Sequence, residues 1–149
     1  MIRPIKYAVY KGTGGKWGAV QFSLSPPVYV CSGCRHRNYD EPTHNNTLQP
    51  VNCGGEFEIR EGAVFVDIAN STGPNVYDWE HKTIFALSVN DLGKILAALK
   101  SGDECKLLHD PGAQTEKAGL VTKTLAFTEL TEKGFLFNMY EKNKSGEEK

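Results

Sequence analysis

Two hydrophobic rhythms alternate along this chain. From Ile5 to Tyr10 apolar positions recur at every second residue, with Ile5, Tyr7 and Val9 on one side and Lys6, Ala8 and Tyr10 on the other. That is the pattern of a half-buried strand. Lys16 to Leu24 repeats it: Val20, Phe22 and Leu24 share a face that reads as core, and Trp17, Ala19, Gln21 and Ser23 share the opposite one. Gly12-Thr13-Gly14-Gly15 is the turn between the two, and Pro26-Pro27 stops the second. Further on, Glu56 to Ile59 and Ala63 to Asn70 are strand pieces around Glu61-Gly62, with Val64, Val66 and Ile68 inward and Phe65 and Asp67 facing the other way. Thr83 to Leu87 alternates again, setting Thr83, Phe85 and Leu87 against Ile84 and Ala86.

After Leu87 the period changes. Ser88, followed by Asp91, forms a capping box, and Leu92, Ile95, Leu96 and Leu99 fall at i, i+3, i+4 and i+7 of one helix face. Lys100 suits the negative end of the helix dipole and Gly102 ends the helix. Glu104 to His109 returns to strand. Leu120 to Leu130 and Gly134 to Tyr140 then form a hairpin with Phe135, Phe137 and Met139 on one face. Residues 142–149 are a charged tail. The predicted class is α+β: mostly antiparallel sheet of about seven strands with one main helix. Four strands and a helix are followed by three more strands, all within one domain, 1–149. The sheet edge left uncovered invites pairing in a homodimer or larger ring.

Residues 28–55 interrupt this plan with chemistry of their own. Cys31-Ser-Gly-Cys34-Arg-His36 precedes His44 and Cys53-Gly-Gly. A C-x2-C pair can clasp one tetrahedral zinc, Gly33 allows the tight turn, and Cys53 with a histidine completes a Cys₃His set. His44 leaves the wider loop and is the preferred fourth ligand, with His36 the alternative. A loop with free thiols and a redox dithiol are the other readings. A polar segment with few core-forming residues needs something to order it, and metal binding energy can do so.

Composition adds less. Hydrophobic residues make up 40% and charged residues 23% of the chain, as in a soluble domain. There is no apolar run long enough for a membrane span. With no signal pattern at the N-terminus the expectation is a cytoplasmic protein. A net charge of −1 argues against a generic nucleic-acid binder, but its distribution does not. Residues 1–39 hold Arg3, Lys6, Lys11, Lys16, Arg35 and Arg37 and no acid, and all 18 Asp and Glu follow. The same stretch carries Tyr7, Tyr10, Trp17, Phe22 and Tyr29. Cations that track phosphates and rings that stack bases are the requirements of a single-strand groove. Covering a sheet edge or an oligomer contact is the other use of Trp17.

A set of short runs, in order, carries a resemblance. Tyr77-Asp78-Trp79, Lys82, Ile84-Phe85, Leu87-Ser88-Val89 and Asp91-Leu92-Gly93 resemble the strand-four-to-helix segment of the Whirly family of single-stranded-DNA-binding proteins. Leu108-His109-Asp110-Pro111 resembles that family's next strand end, and Tyr7 to Gly12 its first strand and the start of its lysine-glycine-lysine-alanine-alanine-leucine motif. The chain departs from the motif by inserting Thr13, Gly14 and Gly15 before Lys16, with Ala19-Val20 standing for its end. The resemblance implies a Whirly-like fold, largely sequence-independent binding of single-stranded DNA or RNA, and assembly into oligomers. It carries Tyr10, Lys11, Lys82 and Phe85 over as contacts, Phe85 having a core role as its alternative. Lys16, Trp17, Arg35 and Arg37 join them from charge and face. The competing function is a zinc-ribbon interaction module in transcription or replication. An enzyme is not expected: Gly12 to Gly15 lacks a following helix, and His109-Asp110 point to opposite faces of a strand.

Overall fold

The computed structural model describes residues 5–12, 17–44, 53–113, 115–130 and 134–143. Three antiparallel sheets and one helix account for them. The main sheet is built from β1 (Lys6–Gly12), β2 (Trp17–Ser25), β6 (Ala63–Gly73), β7 (Val76–Tyr77) and β8 (Thr83–Leu87). β1 pairs with β2 and β2 with β6, while β8 and then β7 share the far side of β6. Between β2 and β6 a small sheet intervenes, in the order β4 (Arg37–Asn38), β3 (Val28–Cys31), β5 (Phe57–Arg60). After α1 (Val89–Ser101), the third sheet runs β11 (Gly134–Asn143), β10 (Val121–Leu130), β9 (Cys105–His109).

The predicted alternation sets the register. Phe22 lies opposite Val66, and Val66 opposite Phe85; Val20 lies opposite Ile68. This row meets Leu107, Leu125 and Phe127 of the third sheet in one core that also holds Leu87, Ala98 and Cys105. Phe22 and Phe137 join the sheets edge-to-face with centroids 5.5 Å apart. Burying side chains of this size is what orders both layers, each worth about 1.5–3 kcal/mol. β1 extends past this cover, so Ile5, Tyr7 and Val9 stay exposed on the same face.

The helix begins and ends as predicted. The Ser88 Oγ accepts the Asp91 N–H at 3.2 Å, and the Asp91 carboxylate accepts the Ser88 N–H at 2.9 Å. Gly102 adopts the left-handed conformation, φ 76°, and its N–H donates to the Ala98 carbonyl at 2.8 Å. The buried face is rotated from the predicted stripe. Leu92 and Ile95 pack on the core and Asp91 and Ala98 are buried, whereas Leu96 and Leu99 are exposed. A capping carboxylate occupies ground that pattern alone gives to leucine.

Three other expectations change. The insert, residues 28–55, is not a loop alone but carries two short strands, β3 and β4, and β3 also pairs with β5 just beyond its end. Asp67 does lie on the outer face, yet is only 6% exposed, its charge met by Lys82 Nζ at 2.6 Å. Lys142 belongs to β11 rather than to a tail, and residues 144–149 lie outside the described ones.

Candidate nucleic-acid interface and metal centre

Where the main sheet outruns its cover, the two large sheets leave a cleft of about 480 Å³. Val9 and Lys11 of β1, Trp17 and Val20 of β2, Ile68 of β6, and Leu130, Phe135 and Phe137 of the β10–β11 hairpin line it. The lining is mainly apolar, and Lys11 is the charged side chain among the lining residues. Trp17 is 65% exposed and Phe135 50%. Trp17 also has a φ of 65°, a conformation that costs an L-residue about 1–2 kcal/mol. Trp17 lines the cleft beside Gly18 and Val20, whereas Ala19 is buried.

The outer face of the same sheet carries a second group of rings. Tyr10 lies 5.4 Å from Tyr77 and 6.5 Å, edge-on, from Trp79. Ala19 and Ala69, paired across β2 and β6, are buried on this face. Asp78 anchors the following turn by accepting the His81 N–H at 3.1 Å.

At the other end of β2 the small sheet brings together Cys31, Cys34, His44 and Cys53, whose ligand atoms all lie within 4.8 Å of one another. The Cys31 and Cys53 sulfurs are 3.2 Å apart, and His44 Nε2 is 3.2 Å from the Cys34 sulfur and 3.7 Å from that of Cys53. A tetrahedral ion with sulfur ligands at about 2.3 Å needs ligand atoms nearly this close. Two turns create the approach. In the first, Arg35 takes a φ of 61° and its N–H donates to the Cys31 carbonyl at 3.0 Å. In the second, Gly55 passes so near that a Cβ there would come within 2.5 Å of Gly33 N and 2.8 Å of the Cys31 sulfur.

Backbone N–H groups point at the thiols. The Gly55 N–H, with Cys31 beside it, brings Cys53 down to about 7. The His36 N–H favours the Cys34 thiolate too, but desolvation and the neighbouring Cys53 and Cys31 outweigh it, so that thiol is raised. These four donors can hold one metal ion. The grouping contains His44 and not His36: the His36 ring lies tilted against that of His44, centroids 5.5 Å apart, and its Nε2 is buried without a hydrogen-bond partner.

The family model described as Whirly transcription factor matches residues 43–149, well over half of the chain. The chain belongs to the Whirly family. It is 35% identical over 98 residues to the chloroplastic single-stranded DNA-binding protein WHY1 of Solanum tuberosum, covering 65% of this chain and 35% of that protein. Against the WHY1 of Zea mays it is 28% identical over 139 residues, 93% of this chain and 43% of that one. The chain thus spans less than half the length of these curated relatives. The crystal structure of WHY1 from Arabidopsis thaliana superposes with a TM-score of 0.71 at 24% identity, covering all of this chain and 72% of that one. It shows the shared fold. The relatives are named as chloroplastic or mitochondrial proteins, so a cytoplasmic location finds no support among them. Among the described residues, no helix is long and apolar enough to cross a membrane.

The Whirly-like frame distributes the predicted contacts unevenly. Lys11 and Trp17 meet in the cleft, and Tyr10 lies one residue away on the outer face. Lys16 lies outside the described residues. Phe85 is 1% exposed and stacked at 4.1 Å on His109, so it is a core ring and not a surface for bases. Lys82 serves first as the counter-ion of Asp67. Arg35 and Arg37 are exposed on the small sheet. Pattern reading missed Phe135 at the cleft, and also the pair of His109 Nε2 with Asp91 at 3.0 Å. The first depends on how two sheets diverge, the second on which strand the helix docks against.

Proposed function

We propose that this Whirly protein binds single-stranded nucleic acid, preferentially DNA and largely without regard to sequence. The observation that carries the reading is the cleft: an apolar slot of about 480 Å³, edged by the exposed ring of Trp17 and by Lys11. Unpaired bases have the shape and polarity for such a slot, and duplex bases cannot enter it. A lining with so few hydrogen-bonding side chains has little means to tell one base from another. Lys11 and Lys16 meet phosphates, and Tyr10 adds a stacking ring where the strand crosses the β1 edge. Arg35 and Arg37, beyond the far end of β2, engage only longer strands. The names of the relatives, single-stranded DNA-binding proteins, support the same reading.

Two further parts belong to the proposal. Cys31, Cys34, His44 and Cys53 hold a structural zinc, which orders a small sheet that buries little apolar surface. The uncovered strands β1 and β11 are closed by other copies of the chain in a homodimer or larger ring. The deciding experiment is a fluorescence-anisotropy titration with single-stranded DNA, single-stranded RNA and duplex at two salt concentrations. Single-stranded DNA should bind most tightly, and weaken as salt rises. Equal, weak binding to all three would overturn the reading. Metal analysis of the purified protein should find about one zinc per chain for the one tetrahedral site.

A further inference from the structure

The thiols of the metal centre have a second reaction open to them. C-x2-C spacing singles out Cys31 and Cys34 as the natural dithiol, but it is the Cys31 and Cys53 sulfurs that lie 3.2 Å apart, across the two turns. A disulfide closes that gap to a bond of about 2.05 Å. The Cys34 sulfur has the His44 imidazole nitrogen beside it, at 3.2 Å. Between these two sulfurs exposure orders the attack, since Cys31 is completely buried and Cys53 partly accessible; the more exposed Cys34 is set apart by its imidazole neighbour.

We propose that Cys31 and Cys53 are an oxidation site, forming a disulfide with hydrogen peroxide and releasing the metal as they do so. The Cys53 thiolate attacks one peroxide oxygen. The O–O bond breaks, the departing hydroxide takes a proton to become water, and Cys53 is left as a sulfenic acid. The Cys31 thiolate then attacks that sulfur, the S–O bond breaks, and a second protonated hydroxide leaves as water. Two thiolates, one peroxide and two protons become one disulfide and two waters, the two electrons passing from sulfur to oxygen. Cys34 and His44 alone are too few donors to retain zinc. The metal-release half of this inference rests on the zinc reading, whereas the choice of partners does not.

The test is peroxide titration of the full chain as purified. Released zinc is followed with a chromophoric chelator. Free thiols are then alkylated, and a non-reducing digest is sequenced by fragmentation. The expected product is a Cys31–Cys53 crosslink in most chains, one zinc released per crosslink, and Cys105 still alkylated. Cys34→Ser should keep the crosslink. Mapping of the unsubstituted chain decides the matter if that variant does not fold. A dominant Cys31–Cys34 or Cys34–Cys53 crosslink, or sulfinic acid on Cys34 with no crosslink, would overturn the proposal. Protein that carries no zinc yet forms the Cys31–Cys53 crosslink would sink the zinc reading and uphold the pairing.

Discussion

Replacing Trp17 with glycine pulls apart two roles that a surface tryptophan can have. If the ring serves to stack a base, the substitution removes about 1–3 kcal/mol of binding energy. At 1.4 kcal/mol per factor of ten, the Kd for oligothymidine rises about 5- to 150-fold. Folding should hardly notice. The residue is 65% exposed, so little packing is lost. Its φ of 65° suits glycine, and relief of about 1 kcal/mol roughly cancels the entropy that glycine brings to the unfolded chain. Tm should therefore stay within about 3 °C of the parent, the shift that 1 kcal/mol makes in a domain of this size. The logarithmic dependence of Kd on salt should not change, because no charge is removed. Anisotropy at three salt concentrations, with calorimetry on the same samples, measures all of this. A Tm lowered by several degrees with an unaltered Kd would show that the ring packs the fold, and the cleft would lose its claim as a base-binding surface.

Other substitutions probe the remaining parts. Lys11→Ala should flatten the salt dependence by about 0.7 in slope, the contribution of one phosphate contact to a single strand. His44→Ala should abolish stoichiometric zinc while His36→Ala retains it, as read by metal analysis. Phe85→Ala, emptying a site that is 1% exposed, should cost about 3–5 kcal/mol in denaturant unfolding. Acid should also unlatch the helix. The Ser88 hydroxyl and N–H, with His109 beside them, overcome desolvation and hold Asp91 below its ordinary value. That stabilisation is complete above the unfolded value of about 3.9 and lost as pH falls through the lower folded one. Asp91→Asn should accordingly flatten the decline in stability below about pH 4, and an unchanged acid limb would refute the linkage.

What the sequence discloses is local. The box at Ser88 and Asp91, the left-handed Gly102 and the alternation through Thr83–Leu87 each depend on neighbours a few residues away, and each stands as read. The grouping of Cys31, Cys34, His44 and Cys53 was legible too, because a C-x2-C turn and a loop of workable length are nearly a geometry in themselves. Lys82 with Asp67 and His109 with Asp91 were not, since their partners come together only after strand register and helix docking are fixed. Phe85 was ambiguous for a related reason: a ring on a strand face is core or surface according to what the other layer covers. The cleft belongs to neither sheet alone, so no single stretch of chain could announce it.

The base of the cysteine-bearing excursion is itself a rung of the main ladder, for Ser25 stands opposite Ala63 in the β2–β6 pairing. Its two ends are therefore already neighbours, and joining them demands almost no loop-closure entropy. Trp17 begins the same nine-residue strand, about 27 Å away along it. The excursion is thus an interchangeable cassette. A two-residue hairpin, a fluorophore-binding tag or a foreign finger could be grafted at Ser25 and Ala63 while the cleft keeps its shape.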